Sequence, residues 1–172
     1  MSTIKANINN KNTYLLLVKH LINKIDKNTI IICIGSDKCI GDALGPLVGT
    51  LLKACKFPLP TYGSLDTPIH ALNIEKEVTN ITSLHPNSSI IGIDACLGNK
   101  NSIGEIHLRD SPIHPGKGVG KTLPDVGSMS LIGIVDSIDN SKYFTSKPIR
   151  LSFILDMAIF IVNCLMSSIS EK

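Results

Sequence analysis

The sequence is poor in aromatic residues, which make up 4% of its 172 positions, and it has no tryptophan. The 17 basic and 14 acidic residues are spread along the chain and form no stripe of one sign. A nucleic-acid surface needs clustered positive charge and aromatic side chains on which bases can stack. The composition therefore argues against a nucleic-acid partner.

Cysteine pairs with metal-ligand spacing are also missing. The five cysteines form no CxxC motif, are odd in number and mostly lie in apolar runs, which is typical of reduced, packed thiols in a cytosolic protein. We therefore predict neither a resident metal nor a cofactor. The first residues, MSTIKANINNKN, contain no apolar secretory core, so we expect a cytoplasmic location.

Apolar runs of the β type alternate with amphipathic helical stretches along the chain. This pattern predicts one α/β domain, a three-layer αβα sandwich with a mixed, mostly parallel sheet. Residues 1–11 are predicted to be a flexible polar arm and residues 12–172 to form the domain. The predicted helices cover residues 14–26, 47–55, 68–84 and 150–169, and the predicted strands cover residues 30–34, 61–63, 89–94, 104–109 and 130–135.

The most apolar segment, residues 151–169, approaches the length of a membrane span. Asp156 and Asn163 would each cost roughly a few kcal/mol in hydrocarbon, so we predict a core or interface helix and no membrane partner. Apolar residues surround most of this helix, which is more than one sheet face needs to cover. The excess favours a homo-oligomer.

Two carboxylates mark the predicted active site. The first buried strand leads into a loop that contains Asp42, and the second buried strand is predicted to end on Asp94. Taken singly, each acid is more often a structural turn residue. The carboxyl ends of parallel strands border one crevice, however, where two acids can approach and raise one pKa, so that one serves as base and the other as acid. The pair predicts an aspartic-type hydrolytic site.

Other polar residues are candidates for the same site. Asp37, His70 and His114 are predicted to contact substrate. Together with His107 they could instead join the acids as metal ligands, although no two histidines have the HxxxH spacing.

The loop of residues 113–120 contains the bare backbone amides of Gly116, Gly118 and Gly120, which could bind substrate or a developing oxyanion. Residues 116–122 are superficially similar to a phosphate-binding loop. Pro115 stands where that motif needs its first glycine, and proline has no N–H to donate. We therefore do not predict a nucleotide site.

Three motifs in this order resemble a known group of proteases: GxxxxxxDALGP (residues 35–46), IDA (93–95) and IHPGxGVG (113–120). The combination is similar to the germination protease of spore-forming bacteria and, closer in size, to the YyaC family of suggested spore proteases. The resemblance implies a phosphorylase/hydrolase-like αβα sandwich, shared with the hydrogenase maturation endopeptidases. It also places the two germination-protease aspartates on Asp42 and Asp94.

The resemblance further implies an endopeptidase that cleaves a small protein or peptide, for example a spore protein, in the forespore or spore core. Two alternatives remain open. The chain could be a non-catalytic sporulation protein that keeps the hydrolase fold as a binding module. It could also be a metal-binding maturation-type endopeptidase, although residues 123–127 (LPDVG) stand where that group has its later metal-binding histidine.

Overall fold

The computed structural model describes residues 3–115, 123–139 and 149–170. Within these ranges the chain forms four α-helices and six strands. The helices are α1 (Lys11–Ile22), α2 (Leu44–Ala54), α3 (Ile74–Leu84) and α4 (Leu151–Ser170). The strands are β1 (Thr3–Asn7), β2 (Thr29–Cys33), β3 (Thr61–Tyr62), β4 (Ser89–Gly98), β5 (Glu105–Arg109) and β6 (Met129–Ser137).

The six strands form one sheet in the order β1-β5-β6-β4-β2-β3. β5 pairs antiparallel with both of its neighbours, whereas the β6-β4, β4-β2 and β2-β3 pairs are parallel. The predicted mixed, mostly parallel sheet is therefore confirmed. The two buried strands β2 and β4 are direct neighbours, which agrees with a sequence prediction that allowed them to lie side by side or one strand apart.

Helices cover both faces of the sheet. Helices α1, α2 and α4 pack on one face in a core that includes Leu17, Leu44 and Ile161, and α3 packs on the other face through Ile74 and Ile81. All five residues of β2 are buried. Because both faces are covered, β2 reads as a continuous apolar run without the alternation of a half-exposed strand.

Two glycines one turn apart bring α2 close to the sheet. A Cβ atom on Gly45 would overlap the carbonyl oxygen of Ile34, and one on Gly49 would overlap the carbonyl oxygen of Gly63. Any larger side chain would push the helix outward, since backbone atoms cannot give way. The two glycines thus fix the start of α2, and with it the preceding loop, against the end of β2.

The N-terminal residues differ from the predicted flexible arm, because Thr3–Asn7 form the edge strand β1 along β5. Ala6 is fully buried and Ile4 is partly buried, while Thr3 and Lys5 are exposed. This alternation is that of a half-buried strand. Because the segment is mostly polar, this alternation is difficult to recognise in the sequence.

The third helix begins at Ile74 and not at Pro68. The side chain of Asn73 holds residues 68–73 in a turn: its Oδ1 accepts from the His70 amide at 2.8 Å and its Nδ2 donates to the Pro68 carbonyl at 3.0 Å. The proline therefore opens a turn here and not a helix.

Helix α4 is long and apolar enough to cross a membrane by length and composition, but half of its most apolar stretch is buried inside the domain. Ile154, Met157 and Ile161 are fully buried. A strip on its outer side, Leu151, Leu155 and Ile159, is exposed. The helix thus belongs to the core. The homo-oligomer remains a prediction, and the exposed strip is the surface through which two copies would associate.

We expect Ile159→Glu to convert an oligomer into a folded monomer, because Ile159 is 42% exposed and a charge there disrupts only a contact between copies. Leu72→Glu, at a residue 82% exposed on another part of the surface, serves as the matched control and should leave the assembly unchanged. Met157→Glu, at a fully buried residue of the same helix, should unfold the chain. Light scattering and circular dichroism separate these outcomes. An unmutated protein that is monomeric at high concentration would rule out the oligomer.

Candidate active site

Asp42 ends a short 3-10 turn, Ile40–Asp42, between β2 and α2. The loop before it is closed by two backbone hydrogen bonds, from the Ser36 amide to the Asp42 carbonyl at 3.0 Å and from the Asp42 amide to the Cys39 carbonyl at 2.9 Å. Gly35 has a φ of 141°, and a Cβ atom there would overlap the Asp42 carbonyl oxygen. Glycine is required at this position, and the closed loop returns Asp42 to the end of β2.

Asp94 does not end its strand, and here the sequence prediction is wrong. β4 continues to Gly98 in parallel pairing with β6. The register of β4 with β2, however, ends at the Cys33–Ile93 pair, and the last bond between them runs from the Ile34 amide to the Ile93 carbonyl at 2.7 Å. Asp94 is therefore the first residue of β4 beyond its register with β2. It lies toward the carboxyl ends of the parallel strands, where α/β sheets bind their ligands.

The carboxyl groups of Asp42 and Asp94 interact electrostatically. Burial, reinforced by the charge of Asp42, raises the pKa of Asp94 to about 8. Burial raises the pKa of Asp42 to about 6, and a hydrogen bond from the Ser36 amide and the nearby His70 partly oppose this shift. With these pKa values, Asp42 is mainly ionised and Asp94 mainly protonated near pH 7. Both residues are only half-buried, so water can reach them.

His70 lies beside Asp42 because its loop is tied to the end of β2. Ile69 forms a bridge with Ile34, and the Gly35 amide donates to the Ile69 carbonyl at 2.8 Å. The Leu72 amide donates to Nδ1 of His70 at 3.3 Å. A neutral His70 therefore carries its proton on Nε2, where it can donate.

Side chains of α2 support the loop that contains His70. Nζ of Lys53 donates to Oγ of Ser64 at 3.1 Å, and the Leu65 amide donates to Oγ1 of Thr50 at 2.9 Å. These contacts were not predicted from the sequence, because α2 and this loop meet only after the chain has folded. The helix that follows Asp42 thus also positions His70.

Cys96 and Arg109 are two further neighbours that sequence reasoning missed. Burial raises the pKa of the Cys96 thiol, with Arg109 opposing the shift and Asp94 adding to it. Asp94 and Cys96 are two residues apart on one strand, so they lie on the same face of the sheet. The spacing alone would have indicated this neighbour if β4 had been predicted to continue beyond Asp94.

The other predicted site residues lie elsewhere. Asp37 is exposed in the turn after β2. The side chain of His114 is exposed and its Nδ1 lies 2.6 Å from Oδ1 of Asp125. His107 contacts Glu105 at 2.8 Å and Arg109 at 3.3 Å along β5. Of the three histidines considered as metal ligands, only His70 thus lies beside the acid pair. Three predicted substrate contacts lie outside the described residues: Gly116, Gly118 and Gly120.

The donor geometry gives no support to a maturation-type metal site. Across residues 3–115, 123–139 and 149–170, no group of three or more histidine, cysteine, aspartate or glutamate side chains is arranged to hold a metal ion. The described part of the site offers instead two carboxyl groups and one imidazole. Such a set can exchange protons with water.

A cavity of about 250 Å³ lies at the amino ends of β4 and β6, lined by residues that include Lys24, Ser89 and Ser128. Lys24 and Asp110 form an ion pair of 3.0 Å at its edge. The acid pair is at the opposite, carboxyl end of these strands. The cavity therefore does not contribute to the candidate site, which lies where the register of β2 with β4 ends.

The raised pKa values predict that the acid pair lowers stability as the pH rises. An aspartate whose folded pKa lies above its unfolded value stabilises the fold only at low pH, and this contribution is lost as the pH passes through about 6 for Asp42 and about 8 for Asp94. We expect Asp94→Asn to increase the free energy of unfolding by about 2 kcal/mol near pH 9 and to change it little near pH 5. Urea unfolding at the two pH values measures this difference.

Asp37→Asn is the control for this experiment, because Asp37 is an exposed acid of the neighbouring loop. It should leave stability unchanged at both pH values. Equal effects of Asp94→Asn near pH 5 and near pH 9 would contradict the proposed burial and coupling of Asp94.

Comparison with known proteins gives a family model whose match spans both acids of this chain. Residues 4–164 match the family model described as "Protein of unknown function (DUF1256)". The "Uncharacterized protein YyaC" of Bacillus subtilis (strain 168) is 38% identical over 149 residues, which cover 86% of this chain and 73% of that relative. The resemblance to YyaC is therefore confirmed, and the chain belongs to the DUF1256 family.

Proposed function

We propose that this protein is an endopeptidase in which Asp42 and Asp94 hydrolyse a peptide bond of a small protein. The observation that carries the proposal is the electrostatic coupling of two half-buried carboxyl groups whose pKa values, about 6 and about 8, lie on either side of neutral pH. A pair with unequal pKa values supplies a base and an acid at the same time.

The two acids divide the reaction between them. Near pH 7 Asp42 is mainly a carboxylate and accepts a proton from water as the water oxygen attacks the scissile carbonyl carbon. Asp94 is mainly protonated and donates its proton to the leaving nitrogen as the carbon–nitrogen bond breaks. The cycle ends with Asp42 protonated and Asp94 ionised, and proton exchange with solvent restores the starting state. The proton count is balanced without a further reactant.

His70 is proposed to assist as a donor beside Asp42. Its bond from the Leu72 amide to Nδ1 leaves the proton on Nε2, which suits a contact with a substrate carbonyl. Ile113 packs on Gly92, two residues before Asp94, and so places the start of the 113–120 loop over β4. The substrate contacts expected of the glycine amides in that loop, of Asp37 and of His114 remain predictions.

The sporulation context rests on the motifs DALGP, IDA and IHPGxGVG and their resemblance to the germination protease. It favours a spore protein as substrate and the cytoplasm of the forespore or spore core as the location. The acid pair itself supports the type of reaction and does not select the substrate.

We expect Asp42→Asn and Asp94→Asn each to lower the cleavage rate by at least about 100-fold, because each removes one proton-transfer group. Both variants should keep the circular dichroism spectrum of the unmutated protein. Asp156→Asn, at an exposed acid of α4, is the matched control and should retain activity. A panel of purified small spore proteins analysed by mass spectrometry provides the measurement. Equal cleavage by the unmutated protein and both variants would show that the assignment is wrong.

The pH profile gives an independent test. The rate should rise as Asp42 loses its proton near pH 6 and fall as Asp94 loses its proton near pH 8, giving a maximum near pH 7. A rate that keeps rising to pH 9 would contradict the acid role of Asp94. If the unmutated protein cleaves nothing but holds one spore protein tightly, the binding-module alternative is favoured.

A further inference from the structure

β4 extends beyond the end of its pairing with β2, next to Asp94. β4 continues through Gly98, whereas its register with β2 ends at Ile93. On its other side β4 remains paired with β6 up to the Gly98–Ser137 pair, with a register shift between Cys96 and Leu97. The extra residue at this shift, Val135, belongs to β6, so β4 itself gains no residue there. The segment 94–98 is therefore held in extended form by β6, and within residues 3–115, 123–139 and 149–170 no strand pairs with its other side.

The direction of the backbone groups along this edge follows from the last bond to β2. The Ile93 carbonyl accepts from the Ile34 amide, so it points toward β2. In a parallel strand the amide and carbonyl of one residue point to the same side, and this side alternates from residue to residue. The backbone groups of Ala95 and Leu97 therefore point to the side on which β2 pairs with the earlier part of β4.

One of these groups is already used by the site. The Ala95 amide donates to Oδ1 of Asp94 at 2.8 Å. Among the described residues, no backbone hydrogen bond reaches the Ala95 carbonyl or the Leu97 amide and carbonyl from the β2 side. Ala95 and Leu97 are partly exposed. Unpaired backbone groups at a sheet edge are a template for an added strand.

We propose that residues 95–97 of β4 bind the polypeptide substrate as an added β-strand. The inference rests on the proposed endopeptidase function. In it, the same site recognises mainly the backbone of an extended substrate segment, and the substrate side chains contribute less. A peptide that pairs with Ala95 and Leu97 passes directly beside the Asp94 carboxyl, which is bonded to the Ala95 amide on the same edge. The edge thus positions a peptide bond at the acid pair.

The first experiment measures backbone pairing directly. The ¹⁵N-labelled protein is mixed with a synthetic pool of random acetylated decapeptide amides, and amide hydrogen exchange is followed residue by residue. At saturation we expect exchange of the Leu97 amide to slow by at least about tenfold. The amides of Cys96 and Gly98 face β6 and serve as internal controls. A second pool, in which every backbone nitrogen is methylated, should give no protection, because neither edge of such a peptide can pair as a strand.

The second experiment removes the edge donor. Leu97→Pro lacks the amide but can occupy an edge position, whereas Leu97→Ala removes the side chain and keeps the amide. We expect Leu97→Pro to weaken binding of the ordinary pool about 3- to 10-fold relative to Leu97→Ala, which is the loss of one hydrogen bond. If Leu97→Pro does not fold, the exchange experiment still decides the question.

The outcomes separate this inference from the proposed function. Protection of Leu97 without any cleavage supports the edge as a binding site and counts against the endopeptidase. Cleavage without protection of Leu97, or equal binding of the methylated pool, overturns the edge and leaves the endopeptidase standing. Failure of the ordinary pool to protect Leu97 also overturns the proposal.

Discussion

The parallel pairing of β2 with β4 is the constraint on which the rest of the structure depends. Five residue pairs, from Thr29–Ser89 to Cys33–Ile93, align the two strands in the centre of the fold. Their odd and even residues supply the two cores, one under α1, α2 and α4 and the other under α3. Because β2 ends at Cys33 while β4 continues to Gly98, Asp94 is the first residue of β4 beyond this pairing.

Tight backbone packing then brings the second acid to the end of β2. Gly45 and Gly49 let α2 approach the sheet, and Gly35 lets the loop before Asp42 close on itself. The backbone arrangement is therefore fixed by contacts that do not involve the carboxyl groups. The domain can tolerate the cost of holding two acids near each other, since the large apolar cores supply the stability. As a result, the two carboxyl groups bind protons with unequal affinity.

Much of the fold can be predicted from the sequence, because the patterns that indicate it lie within short segments of the chain. The unbroken isoleucine run of β2 and the alternating helical stretches indicate the sandwich. The DALGP and IDA motifs indicate Asp42 and Asp94. The edge strand β1 was not predicted because its alternation involves only two apolar residues, Ile4 and Ala6.

The remaining parts of the site depend on contacts between distant segments. The extension of β4 beyond Asp94 is stabilised by β6, about forty residues later in the chain, and composition alone does not fix such a length. His70 reaches Asp42 through the Ile34–Ile69 bridge and the turn at Asn73. His114 pairs with Asp125, a contact that no spacing rule in the sequence predicts.

The most direct test of the coupling between the two acids is a ¹³C NMR titration of the aspartate carboxyl groups in the unmutated protein and in Asp42→Asn. We predict that Asp42 titrates near pH 6 and Asp94 near pH 8. The pKa of Asp94 should fall when Asp42 is neutralised, because one source of its shift is then removed. If both carboxyl groups titrate near pH 4, or if Asp94 does not respond to Asp42→Asn, the two acids are not coupled.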